Sequence, residues 1–236
     1  MRLMRNHRRW RRFVTARLNP KAYLGLHVTV GLLVAVLGAV LFSAILEEVL
    51  DSASLVQWDV ARSAAFHDRQ TPAGVDIFYL ITQLGSPVTV TAIGAVVVAM
   101  LWRRRRRTLI LACVAAWGGE ALLNQAIKHL VHRTRPPFGA AYLHGASFSF
   151  PSGHSMGATV AYGMVAYLLI RHVERRSLPP WLIVTGAATT IVLVSFSRLY
   201  LGVHYPSDVL GGIAVGVAWL AVCITGVEVA VRRATS

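Results

Sequence analysis

The chain has 236 residues, 55% of them hydrophobic, and a mean hydropathy of +0.55. That is too apolar for one ordinary soluble domain and places it among integral membrane proteins. Its net charge of +14 does not indicate nucleic acid as a partner, because the basic residues lie in short segments beside apolar stretches, where membrane insertion and anionic lipid head groups account for them.

Residues 1–22 form a basic segment, expected to be cytoplasmic, with Trp10 and Phe13 suited to the interface. It leads into a full-length apolar stretch with no A-x-A-like cleavage site, so it reads as a topology anchor and not a signal peptide. Six apolar stretches follow, at 23–46, 75–102, 108–130, 154–171, 181–200 and 207–231, each near the ~20 residues needed to cross a bilayer. The second is interrupted at Gly85-Ser86-Pro87, which leaves Val88 to Trp102 as its strongest run. Residues 47–72 carry Glu47, Glu48, Asp51, Asp59 and Asp68 against Arg62 and Arg69. They are expected to form an outer loop, with a short amphipathic helix over the site.

Orientation follows from the arginines and lysines. Eighteen of the 24 lie in residues 1–21, 103–107, 171–176 and 232–233, which six spans place on one face. That face is the cytoplasm by the positive-inside rule, so both termini are expected there. The other six are Arg62, Arg69, Lys128, Arg133, Arg135 and Arg198. The expected architecture is an all-α bundle of six transmembrane helices forming a single domain over residues 1–236, with no internal repeat or linker.

The polar residues at the outer ends of spans three to six form three groups. Lys128 and Arg135 are seven apart, close to two helical turns, so a continuous helix would put both on one face; Pro136-Pro137 ends that helix. Pro151-Ser152-Gly153-His154 opens span four, where free N–H groups and a positive dipole end favour an anion. There Gly153 leaves room for a phosphate oxygen, Ser152 offers a hydroxyl, and His154 is placed to protonate a leaving oxygen and then activate water. Ser197-Arg198 is followed by His204 and, at the start of span six, Asp208. Asp208 can accept a hydrogen bond from one imidazole nitrogen of His204 and fix the tautomer that leaves the other nitrogen free. Taken alone, this pair reads equally well as a helix cap. Lys128, Arg135 and Arg198 together can neutralise a phosphate dianion. Glu120, Asn124 and Lys128 fall at i, i+4 and i+8, a polar stripe down span three in which Glu120 is expected to hold Asn124. His129, His132 and Arg133 are read as interfacial or structural.

The spacings K-x6-R-P, P-S-G-H and S-R-x5-H-x3-D, all within residues 128–208, resemble the signature of the type 2 phosphatidic acid phosphatase (PAP2) superfamily. The resemblance implies a membrane lipid phosphatase in which His204 attacks phosphorus and carries a phosphohistidine. It also implies lipid phosphates or diphosphates as substrates: undecaprenyl or another polyprenyl diphosphate, phosphatidylglycerol phosphate, or phosphatidic acid. The expected partners are that substrate and membrane lipids, and the sequence selects no oligomeric state. The enzyme is expected in the cell membrane with its site on the extracytoplasmic side, needing no cofactor and no metal; H-E-x-x-H and C-x-x-C are absent. Cys113 and Cys223 lie inside apolar spans, too deep to suggest a disulfide or a catalytic thiol. A vanadate-dependent haloperoxidase, which shares the phosphate pocket, is disfavoured by the membrane spans. A non-catalytic lipid transporter is disfavoured by the intact His154, His204 and Asp208.

Overall fold

The computed structural model describes residues 23–142, 147–172 and 178–233, and every regular element among them is helical. The basic segment 1–22 lies outside the described residues. In chain order the helices are α1 (Tyr23–Asp51), α2 (Ala53–His67), α3 (Pro72–Gln83), α4 (Pro87–Arg103), α5 (Arg107–Val131), α6 (Gly153–His172), α7 (Pro180–Tyr200) and α8 (Pro206–Arg233), with a short 3-10 helix over Pro137–Tyr142.

The helix starts follow from capping chemistry. Ser52, Thr71 and Ser86 have extended backbones, and their hydroxyls accept from the N–H groups of Leu55 (3.3 Å), Gly74 (3.1 Å) and Thr89 (3.2 Å). Proline then begins α3 and α4 at positions where no N–H is needed. The interruption expected at Gly85-Ser86-Pro87 is therefore a complete boundary between two helices. Helix α5 stops where His132 turns left-handed (φ 50), its N–H bonding to Lys128 O at 3.0 Å. Arg135 consequently lies beyond the helix, and Lys128 and Arg135 do not share a continuous helical face.

Two further differences from the sequence reading stand out. The first apolar stretch, expected to end at residue 46, continues to Asp51, and most of the remaining outer segment is α2. Five stretches are long and apolar enough to cross a membrane: Leu26–Asp51, Pro72–Arg103 with its break, Arg107–Val131, Pro180–Tyr200 and Pro206–Arg232. Helix α6, expected as the fourth span, is not among them. It packs against α4, α5, α7 and α8, and its first half carries Gly153, His154, Ser155, Gly157 and Thr159. Polar atoms there meet protein instead of lipid, which lowers hydropathy without making the helix a surface element.

The bundle has two distinct ends. At one, Leu101, Leu109, Cys113, Val160, Met164, Leu168 and Val227 pack together, and this is the end that carries arginines 103–107, Arg171 and Arg232. Arg171 pairs there with Glu228, which also accepts from Tyr167 Oη at 2.6 Å. The other end is built on Val49, Ile127, Phe150, Met156 and Val215. Helix α1 runs antiparallel along α8 with close backbone approach at Gly38, where a Cβ would lie 2.9 Å from Ala214 O. The outward face of α1 exposes Leu32, Leu33, Leu37 and Leu41, as expected of a helix solvated by acyl chains.

Candidate active site

The site sits at the end of the bundle away from the arginine clusters, where α5, α6, α7 and α8 begin or end. Pro206 starts α8, leaving His204 just before it and Asp208 in its first turn. Asp208 is fully buried. Its Oδ2 faces His204 Nδ1 at 3.3 Å and accepts Tyr205 N–H at 2.8 Å and the Ser149 hydroxyl; its Oδ1 accepts Arg133 Nη1 at 2.7 Å. On the other side of the ring, Arg135 Nη1 lies 3.1 Å from His204 Nε2. A guanidinium only donates, so Nε2 accepts and the ring proton belongs on Nδ1, facing the carboxylate. Burial lowers the His204 pKa to about 3, with Asp208 opposing the shift and Arg135 and Arg198 adding to it. The imidazole is therefore neutral in the resting site.

The cations come from three elements. Lys128, in the last turns of α5, is buried and donates to Phe148 O at 2.5 Å and Ser147 Oγ at 3.3 Å. Arg135, in the loop after α5, donates from Nε to Ser147 O (2.7 Å) and from Nη1 to Val203 O (2.9 Å). Burial lowers its pKa from the ordinary guanidinium value, partly offset by Asp208. Arg198, in the last turn of α7, donates to Thr82 Oγ1 at 2.7 Å, and its buried Nε has no hydrogen-bond partner among the described residues.

At the start of α6, His154 faces the same space. Ser152 is buried with its hydroxyl turned into the helix: Oγ accepts from Ser155 N at 3.4 Å and lies 3.1 Å from Ser155 Oγ. It caps the helix and is not on the cavity wall. Gly153 is on the wall, and a Cβ there would come 3.2 Å from Asn124 Oδ1, so its missing side chain makes room for Asn124 as well as for a ligand.

Lys128, Arg135, Gly153, His154, Arg198 and His204 line a single cavity of about 1220 Å³. It continues between α4 and α5 past Asn124 and Glu120 to Val98, Cys113 and Trp117, turning from cationic to apolar. The polar stripe of α5 faces this space, but Asn124 Nδ2 reaches Met156 Sδ at 3.5 Å, and no hydrogen bond joins it to Glu120 among the described residues. Asp208 stands behind His204, off the wall.

Sequence reasoning missed two participants. Arg133, read as interfacial or structural, is bound to Asp208 and to Asp59 of α2, with 2.7 Å contacts to each. Asp59, noted only as one acidic residue of the outer loop, is fully buried. The one available signal was Arg133 itself, an extra cation on the face that carries few.

The family model described as PAP2 superfamily matches residues 110–232. The chain is 35% identical over 176 residues to phosphatidylglycerophosphatase B of Bacillus subtilis, covering 75% of this chain and 86% of that one. It is 30% identical over 137 residues to the undecaprenyl-diphosphatase of Sulfolobus acidocaldarius, covering 55% and 59%. Among solved structures it resembles that of a transmembrane PAP2-type phosphatidylglycerolphosphate phosphatase from Bacillus subtilis, with a TM-score of 0.70 and 32% identity over 80% of this chain and 94% of that one.

Proposed function

The chain belongs to the PAP2 superfamily of phosphatases, and we propose that it hydrolyses the phosphomonoester or diphosphate of a membrane lipid through a phosphohistidine on His204. The observation that carries this reading is the convergence of Lys128, Arg135 and Arg198 with two histidines on one cavity, together with an Arg198 Nε that has no hydrogen-bond partner among the described residues. A phosphate dianion supplies what these donors lack.

In this mechanism the phosphoryl oxygens draw Arg135 away from His204 Nε2 and exchange hydrogen bonds with Lys128 and Arg198. The freed Nε2 attacks phosphorus in line. An N–P bond forms, the P–O bond to the lipid breaks, and His154, protonated opposite the dianion, gives its proton to the departing oxygen. His154 then takes a proton from water, which attacks the phosphohistidine and releases inorganic phosphate. Asp208 holds the Nδ1 proton throughout and balances the charge that develops on the ring.

The apolar depth of the cavity supports a lipid substrate, whose chain fits between α4 and α5 while its phosphate meets the cations. Phosphatidylglycerol phosphate stands first, because the relative that matches over most of both chains carries that name. Undecaprenyl diphosphate is the second reading, supported by the relative from Sulfolobus acidocaldarius. An outer-surface site on a bundle of six spans is supported by the bundle's polarity, since arginines 103–107, Arg171 and Arg232 lie at the end away from the cavity and the positive-inside rule favours that end for the cytoplasm.

The test is phosphate release by the detergent-purified enzyme from phosphatidylglycerol phosphate, undecaprenyl diphosphate and phosphatidic acid, compared with a water-soluble phosphate ester. The expected result is a higher kcat/KM on a lipid substrate, led by phosphatidylglycerol phosphate. Preference for the soluble ester, or halide oxidation on adding vanadate, would overturn the reading.

A further inference from the structure

Asp59 and Arg133 do not line the cavity, yet they are tied to its chemistry by a closed set of hydrogen bonds. Arg133 spreads its guanidinium between two carboxylates, with Nη1 2.7 Å from Asp208 Oδ1 and Nη2 2.7 Å from Asp59 Oδ2. The same Nη1 lies 2.7 Å from Ser207 Oγ, and the guanidinium carbon sits 4.5 Å above the centre of the Tyr205 ring. Asp59 completes the set by accepting Ser207 N–H on Oδ1 at 3.1 Å and the Ser207 hydroxyl on Oδ2. It thus caps the first turn of α8 from a different helix, satisfying an N–H that α8 cannot satisfy itself.

The consequence falls on Asp208. Arg133 occupies Oδ1, so Oδ2 is the oxygen left for His204 Nδ1, Tyr205 N–H and Ser149. The carboxylate cannot rotate without breaking the Arg133 bond. Arg133 in turn cannot swing away, because Asp59 holds its second arm, and Asp59 is fixed in α2 against the start of α8. We infer that Asp59 and Arg133 are positioning residues of the phosphatase reaction: a clamp carried by the outer helix α2 that sets the orientation and tautomer of His204 through Asp208 without touching the phosphate. The inference rests on His204 being the nucleophile.

The experiment compares Arg133→Ala and Asp59→Asn with the full-length wild type in detergent, measuring kcat, KM, inhibition by vanadate and rapid-quench formation of phosphoenzyme. Because neither residue meets the oxyanion, KM should stay within about twofold, while kcat and the rate of phosphoenzyme formation fall together by roughly 10- to 100-fold, the loss typical of removing an outer partner of a functional ligand, and inhibition by vanadate, which adopts the geometry of the transfer, weakens in step with kcat. Added guanidinium should restore part of the kcat of Arg133→Ala, because the cation can reoccupy the gap between the two carboxylates. Unchanged kcat, or a KM that rises as far as kcat falls, would overturn the proposal. Failure of both variants to fold would reduce Asp59 and Arg133 to a stabilising role and overturn the proposal too. Acid-labile label persisting in His204→Ala would instead overturn the nucleophile assignment, whatever the Arg133 result.

Discussion

Arg135 Nη1 lies 3.1 Å from His204 Nε2, the atom whose lone pair attacks phosphorus in the proposed mechanism. The same guanidinium nitrogen is 2.9 Å from Val203 O. The resting site therefore covers its nucleophile with the cation that the substrate recruits. Anion binding and exposure of Nε2 become one event, and water alone offers Arg135 no reason to leave.

Replacing Arg135 tests that coupling. Arg135→Lys keeps the charge but cannot serve Ser147 O, Val203 O and His204 Nε2 from one fixed fork. We expect KM to rise and kcat to fall together, with a loss in kcat/KM on the order of 10²-fold or more, close to that of Arg135→Ala. A lysine variant with wild-type kcat/KM would show that charge alone matters there.

The two histidines should separate in a labelling experiment. His204→Ala should lose both turnover and acid-labile phosphoenzyme, by about 10³-fold or more. His154→Ala should still form some phosphoenzyme from a substrate whose leaving group needs no proton, and should break it down slowly. Equal loss of label in both variants on such a substrate would contradict the division of roles.

Sequence alone made the helix ends that carry the candidate site legible, because proline, serine and glycine mark those boundaries locally. Pro206 fixed the start of α8 and, with it, the placement of His204 and Asp208. What stayed hidden were tertiary partners with no local period. Asp59 meets Ser207 across 148 positions and Thr82 meets Arg198 across 116. At Ser152 the motif suits a phosphate donor, while in the structure its hydroxyl accepts the Ser155 N–H at 3.4 Å. Helix α6, read from the sequence as the fourth span, is not among the stretches apolar enough to cross, because a helix packed against four others can carry polar atoms that a lipid-facing one cannot.

Stability should depend on pH through His204. Its pKa is lowered to about 3 by burial, whereas the unfolded side chain titrates near ~6.5. Between those values the unfolded chain binds the extra proton, so stability is fully present above about pH 6.5 and is lost as the pH falls toward 3. The apparent Tm in detergent should drop between pH 7 and pH 5, and less in His204→Asn. Equal drops in both would assign the effect to other groups.

Three cationic side chains already provide the electrostatic stabilisation that a divalent ion would supply to the phosphoryl group. Activity should therefore survive saturating EDTA, and vanadate should inhibit by adopting the trigonal-bipyramidal geometry of the transfer. Loss of turnover in chelator with rescue by Mg²⁺ would contradict this.

Sidedness can be read with single cysteines in a background lacking Cys113 and Cys223. Ser54→Cys, in α2, should react with an impermeant maleimide in intact cells, and Thr108→Cys, beside the arginine run, only after permeabilisation. The reverse pattern would place the site on the cytoplasmic leaflet.

Helix α8 is held at both extremities by charge pairs, the buried Arg133–Asp208 pair at one and the Arg171–Glu228 pair at the other. Its 28 residues span ~42 Å at 1.5 Å per residue, well beyond the ~30 Å hydrocarbon core. A helix pinned this way cannot slide along its neighbours to suit a thinner or thicker bilayer. Mismatch must be taken up by tilting the bundle as one body or by deforming the lipid around it. Asp208 would then keep its register with His204 as acyl chain length changes, while the height of the candidate site above the hydrocarbon boundary shifts with membrane thickness.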